Sequence, residues 1–433
     1  MSIVVKFSMG PKKNWFHGTL WNQDTAEELA KNIAMDMGFS CDVTGGYLIF
    51  SFCPEGFLWM SFQQGKMVGD CQTNIVGPGF HAAVIHFLEL FALKGEFTLR
   101  IEDRTGYDKD RDFGKLKREY FHRWFKQLLE DALEKTQSGG EQLLCWPTHY
   151  YVPEEECGVV TTHIRRFTRD EIFRMVHSGI SMAFAKDFFI WNEEEKDAYY
   201  YRNSALVLLN QECYFMPSAR SLEDQTLNRR IIQLLEKALQ KDRSIPFPKE
   251  AYREVCDLDE HPPLELADVC EMHMQAGIGC RRRLLYRTIG NLCFAVPGNF
   301  LYDYKTTGSA ERYYDGREKD WHDYYICGVK SHQKADFQHR IFEKDNICKT
   351  IEFQAGSANG TIAVYKPMEK KNRVVYTVSA LLTYEDQTTI VSISTDRAED
   401  QDRAIALIYK IHTTTYNDQL SPIGSIEEKE SRE

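Results

Sequence analysis

The hydrophobic pattern changes period twice along the chain, from strand-like to helical and back to strand-like. Ile3-Val4-Val5-Lys6-Phe7 reads as a first strand. Asp24-Thr25-Ala26-Glu27 has the form of a capping box, with Asp24 accepting an N–H bond and Glu27 reaching back; it predicts a helix to Met37 that stops at Gly38. Phe39–Val43 and Tyr47–Phe52 flank Thr44-Gly45-Gly46, a hairpin signature, and turns at Pro54–Gly56 and Gln63–Lys66 complete a meander of four antiparallel strands. The strand faces are mostly apolar or aromatic, so the meander needs helices on one side. Two stretches supply them. One starts near Phe80 and carries Val84, Phe87, Leu88 and Phe91 on one face; the other runs from about Lys115 to Lys135 with Leu116, Tyr120, Trp124, Leu128 and Ala132 at helical spacing. A strand over Phe97–Ile101 lies between them.

These elements predict an α+β two-layer domain over 1–138, closed by the polar joint Gln137–Gly140. Residues 141–260 read as a mainly helical region. It opens with a loop around Trp146 and Tyr151 and a β-branched run at Val159–Ile164. Thr168 and Glu171 form a second capping box, whose helix ends at Ser178-Gly179. Helices are predicted over Glu193–Asn210 and from Ser221, the latter with Leu227, Ile231, Leu234, Leu235 and Ala238 as its apolar stripe and Pro246 and Pro248 beyond it. His261-Pro262-Pro263 marks the next joint. Residues 264–418 read as an antiparallel sheet with a closing helix: strands over Leu292–Val296, Tyr324–Val329, Thr350–Phe353, Thr361–Tyr365, Val374–Tyr384 and Thr389–Ser394, turns at Asn359-Gly360 and Asn372, and a helix capped at Asp396–Glu399 with Ala404, Ile405, Ile408 and Ile411 inward. Residues 419–433 form an acidic tail expected to fray. The strand ending Phe294-x-Val296-Pro297-Gly298, the antiparallel strands and the terminal helix follow an order that resembles the α/β/α sandwich of the Mog1/PsbP-like group over about 130 residues. The resemblance implies a fold for this region and brings no function or site residue with it.

Composition narrows the function classes. Of 433 residues 43% are hydrophobic and 13% aromatic, which excludes disorder for most of the chain. Asp plus Glu outnumber Lys plus Arg by 64 to 53, and a net charge of −11 repels nucleic acid and anionic membranes. Arg281-Arg282-Arg283 with Arg287 is a short basic run beside apolar residues, a solvated face rather than a nucleic-acid patch. No apolar stretch approaches the roughly 18 residues a membrane helix needs, and the first ten lack a signal peptide's basic lead and long apolar centre. The expectation is a cytoplasmic protein. Its twelve cysteines follow no framework spacing, so they are expected to be small buried hydrophobes without disulfides, and no cofactor is implied.

Four patterns are candidates for chemistry. Gly77-Pro78-Gly79-Phe80-His81 is a strand-to-helix turn whose free N–H groups and helix dipole suit an anion, with Asn74 and His81 as side-chain partners; its ordinary reading is a tight turn, and it is neither a Walker loop nor a dinucleotide fingerprint. Asp108, Asp110, Asp112 and Glu119 have the carboxylate spacing of a calcium loop but place Phe113 where that loop needs glycine. Cys270 and His273, one turn apart on a helix predicted over Leu266–Met274, form a single short-interval pair where a structural zinc site shows two, so no metal is expected. Tyr199–Tyr201, Tyr313-Tyr314 and Trp321–Tyr325 are either interface anchors or a two-sided core. No nucleophile elbow or Cys/His signature is present. An acidic surface, dense aromatics and missing catalytic motifs lean away from an enzyme and toward an interaction, inhibitor or immunity-type protein that meets a basic protein partner. The alternative is an enzyme or small-ligand binder using Asn74, Gly77, Gly79, Phe80 and His81 for an anionic group.

Overall fold

The computed structural model describes residues 2–12, 23–136, 142–144, 159–178, 181–272, 279–289, 292–303, 310–315, 322–330, 346–355, 358–370, 373–384 and 387–413. They fall into two compact units, one ending at residue 272 and the other beginning at 279, and both combine antiparallel sheet with helices: the class is α+β. The 137–140 joint, the Trp146–Tyr151 loop, Gly179, His273, Trp321, Asn372 and the 419–433 tail lie outside the described residues.

The first unit begins β1 (Val4–Pro11), α1 (Gln23–Asp36), β2 (Ser40–Thr44), β3 (Tyr47–Cys53), β4 (Gly56–Gln63), β5 (Lys66–Gln72), α2 (Pro78–Lys94) and β6 (Phe97–Asp103). The strands form one antiparallel sheet in the order β2-β3-β4-β5-β1-β6, so the chain's first strand closes the meander and carries β6 on its far side. The period-two alternation sends Val5, Phe7, Met9, Leu48, Phe50, Leu58, Met60 and Met67 into the core, where Ala30, Ile33, Val84, Phe87 and Phe91 of the two helices meet them. Gly45 and Gly46 take φ of 56° and 82°, the left-handed pair that a two-residue hairpin turn demands. Helix α1 starts at Gln23, which puts Asp24 inside its first turn, and the Gln23 amide donates to Glu27 at 2.9 Å.

Short helices α3 (Tyr107–Asp110) and α4 (Phe113–Lys115) lead through a π-helix, Leu116–His122, into α5 (Arg123–Lys135). A stripe that repeats every four residues outruns the 3.6 of an α-helix. The wider π turn absorbs the difference, so Leu116, Trp124, Leu128 and Ala132 all face the core.

Next come a small sheet, β7 (Gln142–Leu144) parallel to β8 (Val159–Thr162) and β8 antiparallel to β9 (Arg166–Thr168), then helices α6 (Arg169–His177), α7 (Ser181–Phe184), α8 (Ala198–Gln211), α9 (Leu222–Lys241) and α10 (Lys249–Leu258). The Thr168 box closes on both arms: Glu171 N–H donates to the hydroxyl at 3.1 Å and Thr168 N–H to the Glu171 carboxylate at 2.7 Å. Helix α8 begins five residues later than the pattern predicts, because Asp197 accepts from Tyr200 N–H at 2.9 Å and caps the helix there. The helix expected over Leu266–Met274 is absent from 266–272: Val269 N–H closes a turn on Leu266 O at 3.3 Å, and backbone bonds of 2.9 Å from Phe247 to Cys270 O and from Met272 to Phe247 O then lay 270–272 beside Phe247. One apolar cluster runs from Ile3 to Met272, so the helical stretch shares a core with the first sheet.

Its polar anchor is Arg202, which is fully buried. The guanidinium donates to Asp187 at 2.6 Å and to Pro246 O at 3.1 Å, while Asn203 donates to the carbonyls of Lys186 and Phe189 at 2.7 and 2.8 Å. Segment 186–189 is thereby pinned to α8.

The second unit holds the antiparallel strands β10 (Leu284–Ile289), β11 (Leu292–Pro297) and β20 (His412–Thr413) in one sheet. A larger antiparallel sheet runs β12 (Leu301–Tyr302), β13 (Ala310–Tyr314), β14 (His322–Lys330), β19 (Gln387–Thr395), β18 (Arg373–Tyr384), β16 (Ala358–Tyr365), β15 (Ile347–Ala355), with β17 (Met368–Lys370) on β18. Helix α11 (Asp400–Tyr409) packs on β18, β19 and β11 through Ala404, Leu407 and Ile408. It starts at Asp400 and not at an Asp396 cap: Arg397 N–H donates to Thr395 Oγ1 at 3.2 Å in a turn that precedes the helix. Asn359-Gly360 is likewise no turn but part of β16, opposite Gln354 and Phe353. A Cβ on Gly360 would lie 2.3 Å from the Phe353 ring, so glycine lets that ring cross the strand and meet Tyr409 at 5.4 Å.

Removing the Asp187 carboxylate strands the buried Arg202 charge. Asp187→Ala is expected to lower the unfolding free energy by about 3 kcal/mol, measured by guanidinium denaturation of the full chain.

Candidate functional site

The five residues of the predicted anion turn come together at the start of α2, and so does a distant segment. Gly77 has φ 118° and Pro78 is the first helical residue. Asn74 accepts from Ile3 N–H at 2.8 Å, which ties the turn to β1. Gly79 N–H donates to Trp191 O at 3.0 Å, Trp191 N–H donates to Val76 O at 2.8 Å, and His81 N–H returns to Gly77 O at 3.2 Å. A Cβ on Gly77 would lie 2.5 Å from Trp191 O, and one on Gly79 only 2.1 Å from Glu193 O. The glycines admit a backbone, and the amides of Gly79 and His81 offered to an anion are bonded to carbonyls of this chain. Phe80 is buried and meets the Phe52 ring edge-on at 5.4 Å.

His81 lies beneath this turn in a network that sequence spacing does not reveal. Thr73 Oγ1 is 3.1 Å from Nδ1, and Asp103 Oδ2 is 3.2 Å from Nε2. Asp103 also accepts from Thr105 N–H at 2.8 Å and from its hydroxyl at 2.7 Å. Burial pushes the Asp103 carboxyl up, but the His81 hydrogen bond and charge and the two Thr105 bonds outweigh it and hold it at about 2. Such a carboxylate only accepts, so the His81 proton facing it sits on Nε2. Hydroxyl, imidazole and carboxylate stand in the order of a nucleophilic triad. The side chains of His81 and Asp103 nevertheless have no exposed surface, and Thr73 has none either. Rings of Tyr107 and Phe121 close against the imidazole at 6.2 and 5.8 Å. The network joins the end of β5, α2 and β6.

The remaining candidates disperse. Asp110 pairs with Lys115 at 2.8 Å and Asp112 caps α4 by accepting Lys115 N–H at 2.8 Å, so the acids of the calcium-like run organise a helix start. Among the described residues no three His, Cys, Asp or Glu side chains gather as metal ligands. Cys53, Cys71 and Cys256 are buried free thiols, Cys213 and Cys293 are buried as well, and burial pushes Cys53 up to about 12. Burial, chiefly, lowers His122 to about 4 and His163 to about 3. Of the tyrosine runs, Tyr200, Tyr201, Tyr313 and Tyr324 are buried.

Two exposed aromatics, Tyr47 and Trp59, share the sheet face turned away from α1 and α2, whereas exposed Phe173 and Tyr409 stand singly on helices. Cross-strand register lines up Ile49, Trp59, Asp70, Lys6 and Glu102 in one row and Tyr47, Ser61, Val68, Ser8 and Arg100 in the next. Trp59 is 37% and Tyr47 45% exposed, their rings edge to face at 6.1 Å. Around them is a hollow of about 460 Å³. Strand parity alone locates this pair: Tyr47 and Trp59 alternate with core residues Leu48, Leu58 and Met60.

Two outcomes test the buried network. Gly79→Ala is expected to cost about 3 kcal/mol, because the new methyl meets backbone that cannot yield, read as a lower denaturation midpoint. Asp103, His122 and His163 all sit below their ordinary values, and such groups give stability that is complete above the unfolded value and lost as pH falls toward the folded one. Unfolding free energy is therefore expected to fall from pH 6.5 toward 4 as the histidines demand protons, and further from 3.8 toward 2 as Asp103 takes one up. Denaturation across that range checks it, with His163→Phe flattening the upper decline.

No protein-family model and no curated protein matches the chain. Among solved structures, the crystal structure of PA94, a protein of unknown function from Pseudomonas aeruginosa, matches with 12% identity and a TM-score of 0.20, covering 33% of this chain and 99% of that one. That likeness is too slight to carry fold or function across, and the Mog1/PsbP-type sandwich stands as an expectation from element order.

Proposed function

We propose that the chain is an interaction protein that docks another protein on the open face of its first sheet. The observation that carries this reading is the exposed Tyr47–Trp59 pair, set in rows whose Lys6, Asp70, Arg100 and Glu102 form a charged surround. Aromatic anchors inside a polar rim are where protein interfaces concentrate their binding energy. The chain's net charge of −11 favours a basic partner through steering, with association slowing as salt rises. The same charge disfavours nucleic acid. Among the described residues no helix is long and apolar enough to cross a membrane. The buried free thiols of Cys53, Cys71 and Cys256 suit a reducing, cytoplasmic setting. The burial of Thr73, His81 and Asp103 weighs against an enzyme working at the Gly77–His81 turn.

Affinity capture with the full chain, followed by titration against the recovered protein, tests the proposal. A basic partner is expected, and Tyr47→Ser/Trp59→Ser is expected to weaken it at least about tenfold while the chain still unfolds cooperatively, since neither ring belongs to the core. Equal binding by the double variant sinks the proposal.

A further inference from the structure

Helix α2, just past its plugged first turn, borders a groove of about 770 Å³. That size lies within the roughly 300–1,000 Å³ of small-molecule sites. Its floor is apolar and largely aromatic, built from Phe39, Phe52, Ala82, Tyr107, Trp191 and Tyr201, each nine-tenths buried or close to it. The rim is charged and carries an ion pair, with the carboxylates of Glu194 and Glu195 also on it. Arg111 bonds Glu89 across the groove, and Tyr107 donates its hydroxyl to Glu194 at 3.4 Å. Glu195 and His86 stand exposed at the edge.

Lys196 differs from these. Its ammonium lies 5.0 Å from the Trp191 ring centroid and 5.3 Å from that of Tyr200, and no carboxylate bonds it among the described residues. Lys237 rests on the Tyr201 ring at 4.7 Å, and Lys241, one turn further along α9, lines the same groove. Among the described residues, a chain with net charge −11 thus keeps Lys196 and Lys241 on this groove, and Lys237 on the Tyr201 ring beside it, with no ion pair to an acid. Ring faces only partly replace a counter-ion, and burial lowers the Lys196 pKa, with the Lys237 charge adding to the effect. An anion at this position relieves both costs.

We infer that this groove binds an amphipathic small molecule, its aromatic or alkyl body on the Phe39–Phe52–Tyr201 floor and its single anionic group held by Lys196 and Lys241. The site stands apart from the sheet face, and neither depends on the other. The ligand chemistry is that of an aryl or acyl phosphate, sulfonate or carboxylate.

Calorimetric titration of the full chain with 2-naphthyl phosphate tests the inference, with 2-naphthol and inorganic phosphate as the arms that separate body from charge. Saturable binding of naphthyl phosphate is expected, at least tenfold tighter than either fragment. Lys196→Met and Lys241→Met are each expected to weaken it about tenfold, the size of a hydrogen bond to a charged group, and to leave naphthol unchanged. Lys241 is exposed, so its variant reads the site even if Lys196→Met loses its fold. Absence of saturable binding, equal affinity for naphthol, or binding undiminished in both variants overturns the inference.

Discussion

Backbone bonds between Trp191 and the first turn of α2 connect the two halves of the first unit. Val76 O receives Trp191 N–H, and Trp191 O receives Gly79 N–H, at 2.8 and 3.0 Å. They form because Gly77 and Gly79 present no Cβ to the arriving strand of chain. A helix start buried under another segment needs its free amides satisfied, and here the segment itself supplies an acceptor. Asn203 and the Arg202–Asp187 pair fix the other end of that segment. The aromatic layer of Phe121, Phe125, Phe188 and Phe189 fills the space between.

Charge is handled differently inside and outside this assembly. Within it, ions are paired and bonded: Arg202 with Asp187, and Asp103 with His81 and Thr105. Such pairing offsets desolvation and fixes geometry more than it adds net stability. Lys196 breaks the pattern, lying half-buried on two rings with no carboxylate bonded to it among the described residues. Two surfaces, the Tyr47–Trp59 sheet face and the Lys196 groove, therefore stand out from the paired ions of the core.

Local signals in the chain were legible where a single element decides the outcome. The Thr168–Glu171 box, the Gly45-Gly46 hairpin and the apolar stripe of α9 need only neighbours within a few residues, and each stands where the pattern placed it. Readings failed where distant contacts compete with local preference. Leu266–Met272 has helical spacing but is drawn alongside Phe247 by backbone bonds, and Asn359-Gly360 reads as a turn yet serves as the gap that Phe353 fills.

The candidate turn shows the division most clearly. The sequence by itself determined that Gly77-Pro78-Gly79 ends a strand and starts a helix, since glycine freedom and the fixed proline φ are local properties. Only the tertiary structure decided what those glycines face, because Trp191 and Glu193 lie more than 110 residues away along the chain. It likewise decided that His81 lies sealed between Thr73 and Asp103 while Lys196 borders an open groove. Burial and partnership are set by which segments pack together, and residue spacing does not encode them.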